Sequence, residues 1–339
     1  MDKLCDRIVL GEEGILNTYG TDYVADMNQK WDIQEYCRNI EVRVISSKPD
    51  ELEFDLIHVD APVANAIRRV LIAEVPSMAI EKVLIHQNTS LIQDEVLAHR
   101  LGLIPIKADP RQFSERLNND DLTPNEENTL VFQLHVKCKK KPGFDKITGS
   151  SPEQLYDDSN VYTKHFVWEP VGSQAEKFAT DPPRPVHPDI LLAKMRPGQE
   201  IDLTCHCVKG LGRDHAKFSP VATASFRLLP EIQLLSEIED DQADLLKSCF
   251  SKGVIDVITK PDGRRVARVA NARNDMCSRN VFRHPGLAQS VLLTRKRNHF
   301  IFSVESTGAL DSATLVLEAI DVIQQKCVHL SNHLNSVAS

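Results

Sequence analysis

The sequence predicts an α+β fold in which a sheet with packed helices is interrupted by a β-rich insert, and three features point to it. Two short runs near the start alternate apolar and polar residues, the period of a half-buried strand. From residue 107 to about 220 the chain becomes rich in proline, glycine and polar loops, with further strand-like runs between them. The chain then closes on apolar residues spaced alternately four and three apart, a helical period held over three heptads.

Residues 1–37 are weakly periodic, with Gly11, Gly14 and Gly20, and are expected to form an N-terminal extension lying along a partner. Ile40, Val42 and Val44 then alternate with Glu41 and Arg43, and Leu52, Phe54 and Leu56 alternate with Glu53 and Asp55. The Ser-Ser-Lys-Pro-Asp turn between the runs predicts a hairpin with one buried face. A helix follows over 62–75. In it Val63, Ala64, Ala66, Ile67, Val70, Leu71 and Ala73 cover about half of the circumference. Asn65, Arg68, Arg69 and Ile72 fall on the other half. An isoleucine between two arginines suits a helix held between its own sheet and a second protein. The alternative is a solvent-facing arginine pair beside a tolerated isoleucine. A strand is expected over 77–86.

Within the insert, strands are expected over 130–138, 161–168 and 200–208, separated by loops at 109–110, 118–128, 142–143 and 181–188. Regular structure resumes over 221–229. An acidic stretch (Glu237, Glu239, Asp240, Asp241) opens a short helix, and strands at 254–258 and 264–269 form a hairpin around Pro261-Asp262-Gly263. Phe300, Phe302 and Val304 give a late strand its apolar face. The last helix, capped by Asp311 or Ser312, carries Val316, Ile320, Ile323, Cys327, Leu330, Leu334 and Val337 on one seam. A shorter stripe of Leu315, Ala319 and Val322 widens its start. The seam outlasts that stripe, which favours a second helix lying along it over an ordinary core helix on the protein's own sheet.

Composition narrows the function. A formal charge of −8 opposes a protein whose task is to coat nucleic acid, so little or no direct DNA contact is expected. The most apolar stretch, 63–80, is broken by Arg68, Arg69 and Glu74, and no membrane contact is expected. MDKLCDRIVLGEEG lacks the apolar block of an export signal, so the eight cysteines are read as free thiols in nucleus or cytosol. Cys205 and Cys207 share a strand face with Ile201 and Leu203, leaving Asp202, Thr204 and His206 opposite. With no second cysteine pair to complete four ligands, they read as core residues and no metal is expected. Gly210-Leu211-Gly212 with Arg213 and Lys217 lacks the third glycine and the Lys-Ser/Thr of a phosphate cradle and reads as a turn into a strand. Lys137 with Lys139, Lys140 and Lys141, and Arg295-Lys296-Arg297, read as solvated segments beside strands. No spacing selects catalytic residues, and no cofactor is expected.

The run over 65–110, NAIRRVLIAEVPSMAIEKVLIHQNTSLIQDEVLAHRLGLIPIKADP, resembles the alpha motif of RNA polymerase subunits. So do DHAKFSPVATASFRLLP at 214–230 and HFIFSVESTGAL at 299–310, and the similarity spans about 41–327. The resemblance implies an RNA polymerase alpha-type dimerisation domain made of 38–87 with 221–339, interrupted by an insert at 88–220. The composition break near 107 agrees with an interruption, although the family boundary falls earlier. Relatives serving polymerase II and many archaeal enzymes hold zinc or an iron–sulfur cluster on cysteines in the insert, where this chain has only Cys138, Cys205 and Cys207. That departure, with the wording CVKGLGRDHAKFSPVATASFRLLP, is most similar to the branch shared by polymerases I and III. The third subunit of polymerase II or an archaeal equivalent is the alternative.

The resemblance further implies a non-catalytic assembly role in the nucleus, in nucleolus and nucleoplasm, for synthesis of ribosomal RNA precursors, 5S rRNA and tRNAs. A small alpha-like polymerase subunit would be the dimer partner, and the pair would dock the largest and second-largest catalytic subunits alongside small shared subunits. By motif match, Asn65, Arg68, Arg69 and Ile72, with His99 and Arg100, are implied at the large-subunit surface. Phe300, Phe302, Val316, Ile320, Ile323, Cys327, Leu330 and Leu334 are implied to face the small alpha-like partner.

Overall fold

The computed structural model describes residues 7–17, 32–116, 123–142 and 152–338. Its chain divides into two compact units, Met1–Ile45 with Glu53–Ala66 and Ser225–Ser303, and Ser46–Leu52 with Ile67–Ala224 and Val304–Ser339. Residues 1–6 and 18–31 of the expected N-terminal extension, part of the loop at 118–128 (118–122) and Gly143 lie outside the described residues. No helix among the described residues is long and apolar enough to cross a membrane.

The first unit is built on a five-stranded sheet in the order Arg7–Val9, Val291–Ser306, Glu51–Ile57, Glu41–Ser47, with Val221–Leu234 also paired to the long strand. The short first strand runs antiparallel to the long one, with Ile8 opposite Arg295. Residues 7–9 of the expected extension are therefore part of the protein's own sheet. Arg295-Lys296-Arg297 lies inside the long strand and not before it. The reason is that one 16-residue strand takes in a second apolar stretch, Val291–Leu293, ahead of the basic residues as well as Phe300–Phe302 after them.

The hairpin forms, but only its second strand is buried. Leu52, Phe54 and Leu56 are in the core, whereas Val42 and Val44 are each 59% exposed. Glu41–Ser47 is the edge of the sheet, so its side chains have a neighbour on one side only. Phe54 stacks on Phe302 at 5.0 Å between ring centres, and Phe226 closes on Phe300 and Phe302 at 5.3 and 5.2 Å. Such aromatic contacts add to the burial of their area.

Asp55 was expected to point to water and is instead buried. Arg273 Nη1 donates to both of its oxygens at 2.7 and 2.9 Å, and His299 Nε2 lies 3.0 Å away. Arg273 Nη2 also donates to Glu53 at 2.5 Å. Burial works against the Arg273 charge, but Glu53 and Asp55 outweigh it and hold the guanidinium above its ordinary pKa. A separate cluster (Leu246, Val254, Ile255, Ala267, Leu287 and Leu293) packs beneath helix Asp240–Cys249 and the hairpin Ile255–Thr259/Arg265–Val269. That hairpin turns through Gly263 at φ +86°, the left-handed region that glycine occupies without strain.

The second unit carries a four-stranded antiparallel sheet in the order Phe166–Glu169, Thr129–Lys137, Glu200–Gly210, Ser77–Asn88. Leu97 and Leu101 of helix Asp94–Gly102 pack with Leu130, Phe132, Leu134 and Cys205 in its core. The strand expected over 161–168 is split in two. Asn160–Tyr162 pairs with Leu191–Lys194, a single 3-10 turn intervenes at Thr163–His165, and Phe166–Glu169 joins the large sheet. The backbone of Thr163 donates to Ile190 at 3.1 Å and its hydroxyl to the His187 carbonyl, which draws the chain off the strand path.

Cys138, Cys205 and Cys207 are all buried in this core. Burial pushes the Cys205 thiol up to about 12, and burial followed by the neighbouring Cys205 raises Cys207 well above its ordinary value. Both effects oppose the thiolate, the form that binds metals. His206 is also buried, against the expected alternation. Desolvation, then the charges of Arg116 and Lys82, hold its imidazole below the usual pKa.

The Gly210–Gly212 turn has a packing reason. A Cβ at Gly212 would lie 2.1 Å from the Ile72 carbonyl oxygen, and one at Gly210 would lie 2.7 Å from the Phe218 ring. The Arg213 amide donates to the Ala73 carbonyl at 2.9 Å, so the loop closes the last turn of helix Ala61–Ala73. Lys217 Nζ is spent on the Ile80 carbonyl at 2.9 Å and on Glu81 at 2.5 Å. Gly212→Ala is expected to destabilise the protein by about 1–3 kcal/mol, the usual cost of forcing extra volume against packed atoms. The check is the urea unfolding midpoint, and an unchanged midpoint contradicts the packing account.

Candidate functional site

Two surfaces gather the residues implied in partner binding. The first is centred on helix Ala61–Ala73. Ala64 and Leu71 are fully buried, Val70 is buried, Asn65, Arg68 and Ile72 are half-buried, and Arg69 is exposed. The buried stripe therefore differs from the expected one: Val63 is 44% exposed and Ala66 is exposed. At 100° per residue, Arg68 lies roughly 40° from Ala64, while Arg69 lies roughly 140° from it. The two arginines are thus not equivalent. Arg68 borders the core-facing side, and Arg69 points outward.

His99 and Arg100 sit at the end of helix Asp94–Gly102, both exposed. Asp94 and Glu95 in its first turn and His99 and Arg100 in its last complement the helix dipole. Arg100 Nη2 donates to the Leu191 carbonyl at 2.9 Å, and the His99 ring meets His215 edge-on at 6.4 Å. His215 lies two residues past Arg213, in the segment whose Gly212 and Arg213 contact Ile72 and Ala73. One loop thereby links the end of the arginine helix to His99. Arg213, with its side chain 64% exposed, belongs to this surface. Sequence spacing offered only a weak phosphate motif for it, because its role depends on where the loop folds back.

The second surface is the C-terminal helix, Ser312–Ala338, 27 residues and about 40 Å long. Its first turns are buried, with Ser312, Leu315 and Ala319 fully so, and the Ser312 amide donates to the Pro49 carbonyl at 2.9 Å. Two ion pairs hold it further along, Arg111 to Glu318 at 3.2 Å and Lys326 to both Glu74 oxygens at 2.8 Å. The seam lies beside that stripe. Val316 and Ile323 are half-buried, Cys327 is exposed, and Ile320, Leu330, Leu334 and Val337 are 45, 61, 71 and 77% exposed. An ordinary core helix accounts for the first turns alone. From Ile320 onward a row of large apolar side chains faces water, the mark of an interaction surface.

Phe300 and Phe302 do not join this surface. They are 1% and 0% exposed inside the first unit's aromatic cluster, so they support the sheet and present nothing to a partner. Their alternation with polar residues marked a buried face correctly but carried no information on what buries it.

Comparison with known proteins bears on what covers these surfaces. Residues 53–327 match the model of the RNA polymerase Rpb3/Rpb11 dimerisation domain. The chain is 51% identical over 340 residues to "DNA-directed RNA polymerases I and III subunit RPAC1" of Mus musculus, covering 99% of this chain and 97% of that protein. It is 44% identical over 323 residues to the protein of the same name from Saccharomyces cerevisiae, covering 94% and 95%. Similarity to "DNA-directed RNA polymerases II, IV and V subunit 3" of Arabidopsis thaliana is lower, 32% over 308 residues, covering 86% and 90%. The chain belongs to the family of RNA polymerase subunits built on the Rpb3/Rpb11 dimerisation domain.

Proposed function

We propose that this chain is the larger alpha-like subunit shared by RNA polymerases I and III, a non-catalytic scaffold on which those enzymes assemble in the nucleolus and nucleoplasm. The observation that carries the reading is the gap between 51% identity to a subunit named for polymerases I and III and 32% to one named for polymerases II, IV and V. The exposed seam of the C-terminal helix supports pairing with a small alpha-like subunit through Val316, Ile320, Ile323, Cys327, Leu330 and Leu334. Arg69, with Asn65, Ile72, His99 and Arg100 and with Arg68 at its inner edge, is the proposed dock for the large catalytic subunits. The pairing module is proposed to comprise 38–87 and 221–339, with 88–220 as the insert.

Acute depletion of the chain tests the reading in cells. Synthesis of ribosomal RNA precursors, 5S rRNA and tRNAs is expected to fall together while messenger RNA synthesis continues. A fall confined to messenger RNA would assign the chain to polymerase II.

A further inference from the structure

The inner stripe of the C-terminal helix runs through the buried Leu315 and Ala319 and the half-buried Val322 to Lys326, and the same line continues to His329 and His333. Lys326 is the last of these with a tether, its ammonium held by Glu74 at 2.8 Å. One turn further on, the two imidazoles are exposed, with ring centres 6.2 Å apart and ring planes within 8° of parallel.

We propose that His329 and His333 form a two-imidazole site for a late first-row divalent ion, Zn2+ or Cu2+, with water in the remaining positions. Residues four apart lie one above the other on a helix face. Helical histidine pairs grip zinc at that spacing, and imidazole is a ligand that suits both ions. Bonds of about 2.0–2.1 Å at a tetrahedral ion set the two ring nitrogens roughly 3.3 Å apart. Turning the two side chains about their own torsions closes that gap, so the backbone stays in place. Among the described residues no third histidine, cysteine or carboxylate joins them. The ion therefore keeps exchangeable positions, unlike a closed four-ligand structural site.

The pair borders the seam. His329 and Leu330, like His333 and Leu334, are neighbours in sequence and so about 100° apart around the helix. His329 stays clear of a partner on the seam, while His333 flanks it, about 60° around the helix from Leu330 and about 40° from Val337. Gln324, Gln325, Val328 and Asn332 border the shallow depression beside His329, and none of them supplies a competing charge.

The test is amide hydrogen exchange of the full-length chain with zinc chloride, read over residues 325–337, with magnesium chloride as the control ion. An ion bridging one helical turn opposes local opening, so zinc is expected to slow exchange there about tenfold in the natural protein. His333→Asn is expected to remove the slowing. So is His333→Asn combined with Ser331→His, which keeps the number of histidines but sets them about 200° apart. Equal slowing in either variant, slowing by magnesium, or no slowing of the natural protein at millimolar zinc overturns the proposal.

Discussion

Leu330→Asp is expected to abolish pairing with the small alpha-like subunit while leaving this chain folded. Leu330 is 61% exposed on its own chain, so aspartate there meets water and costs the lone protein little. In a helix–helix contact the same carboxylate would be buried without a partner. A cost of about 4 kcal/mol, typical of an uncompensated buried charge, weakens binding about a thousandfold. Val328→Asp is the matched control, since Val328 is 54% exposed but lies about 200° around the helix from Leu330. Co-purification with the small subunit reads both variants. Loss of pairing with Val328→Asp and not with Leu330→Asp would move the interface to the opposite flank. Ile323→Asp is a poorer probe, because Ile323 is half-buried within its own chain and the change would also disturb packing there.

Arg69→Glu is expected to spare that heterodimer and to block its union with the large subunits. Arg69 is exposed and turned away from Ala64 and Leu71, so its charge can be reversed without touching the core. Arginine makes forked contacts to carboxylates and carbonyls that other side chains do not replace, and loss of one at the centre of an interface costs about 2–4 kcal/mol. Assembly of polymerases I and III should fall together, with polymerase II unaffected. Arg68→Ala should behave differently, lowering the stability of the chain as well as its docking, because Arg68 is half-buried beside the core stripe. The measurement is a pull-down scored separately for the small subunit and for each large subunit, alongside unfolding midpoints. Loss of the small subunit first would place this helix at the dimer contact instead.

Much of the fold was legible because local pattern and tertiary environment agree. The helix over 61–73, the strands at 129–137 and 200–210, the hairpin at 255–269 and the long last helix all follow from period and punctuation. Where the expectation failed, a distant residue decided the outcome. Alternation put Asp55 in water, but Arg273, more than two hundred positions away, makes its burial tolerable. Alternation buried Val42 and Val44, but only the order of strands reveals that theirs is the edge. A helical wheel placed Arg68 and Arg69 together on an outer face, because Val63 and Ala66 are apolar, although neither is buried. Small apolar residues carry little directional information, and the true stripe is set by what Ala64 and Leu71 pack against.

The candidate surfaces divide in the same way. The helical period of the seam was legible, since a heptad repeat is a local property, but the half-burial of Val316 and Ile323 was not. Phe300 and Phe302 were assigned to the partner by resemblance alone and prove to be internal. Arg213 was passed over because its place beside the arginine helix comes from a backbone bond to Ala73, which no spacing encodes.

The central claim is that this chain is a scaffold common to two polymerases, and one purification tests it most directly. The chain, tagged at its N-terminus and recovered from nuclear extract, should bring down a small alpha-like subunit in equal amount. With it should come the largest and second-largest subunits of both polymerase I and polymerase III, and none from polymerase II. Recovery of polymerase II large subunits, or of the chain alone at full yield, would contradict the account.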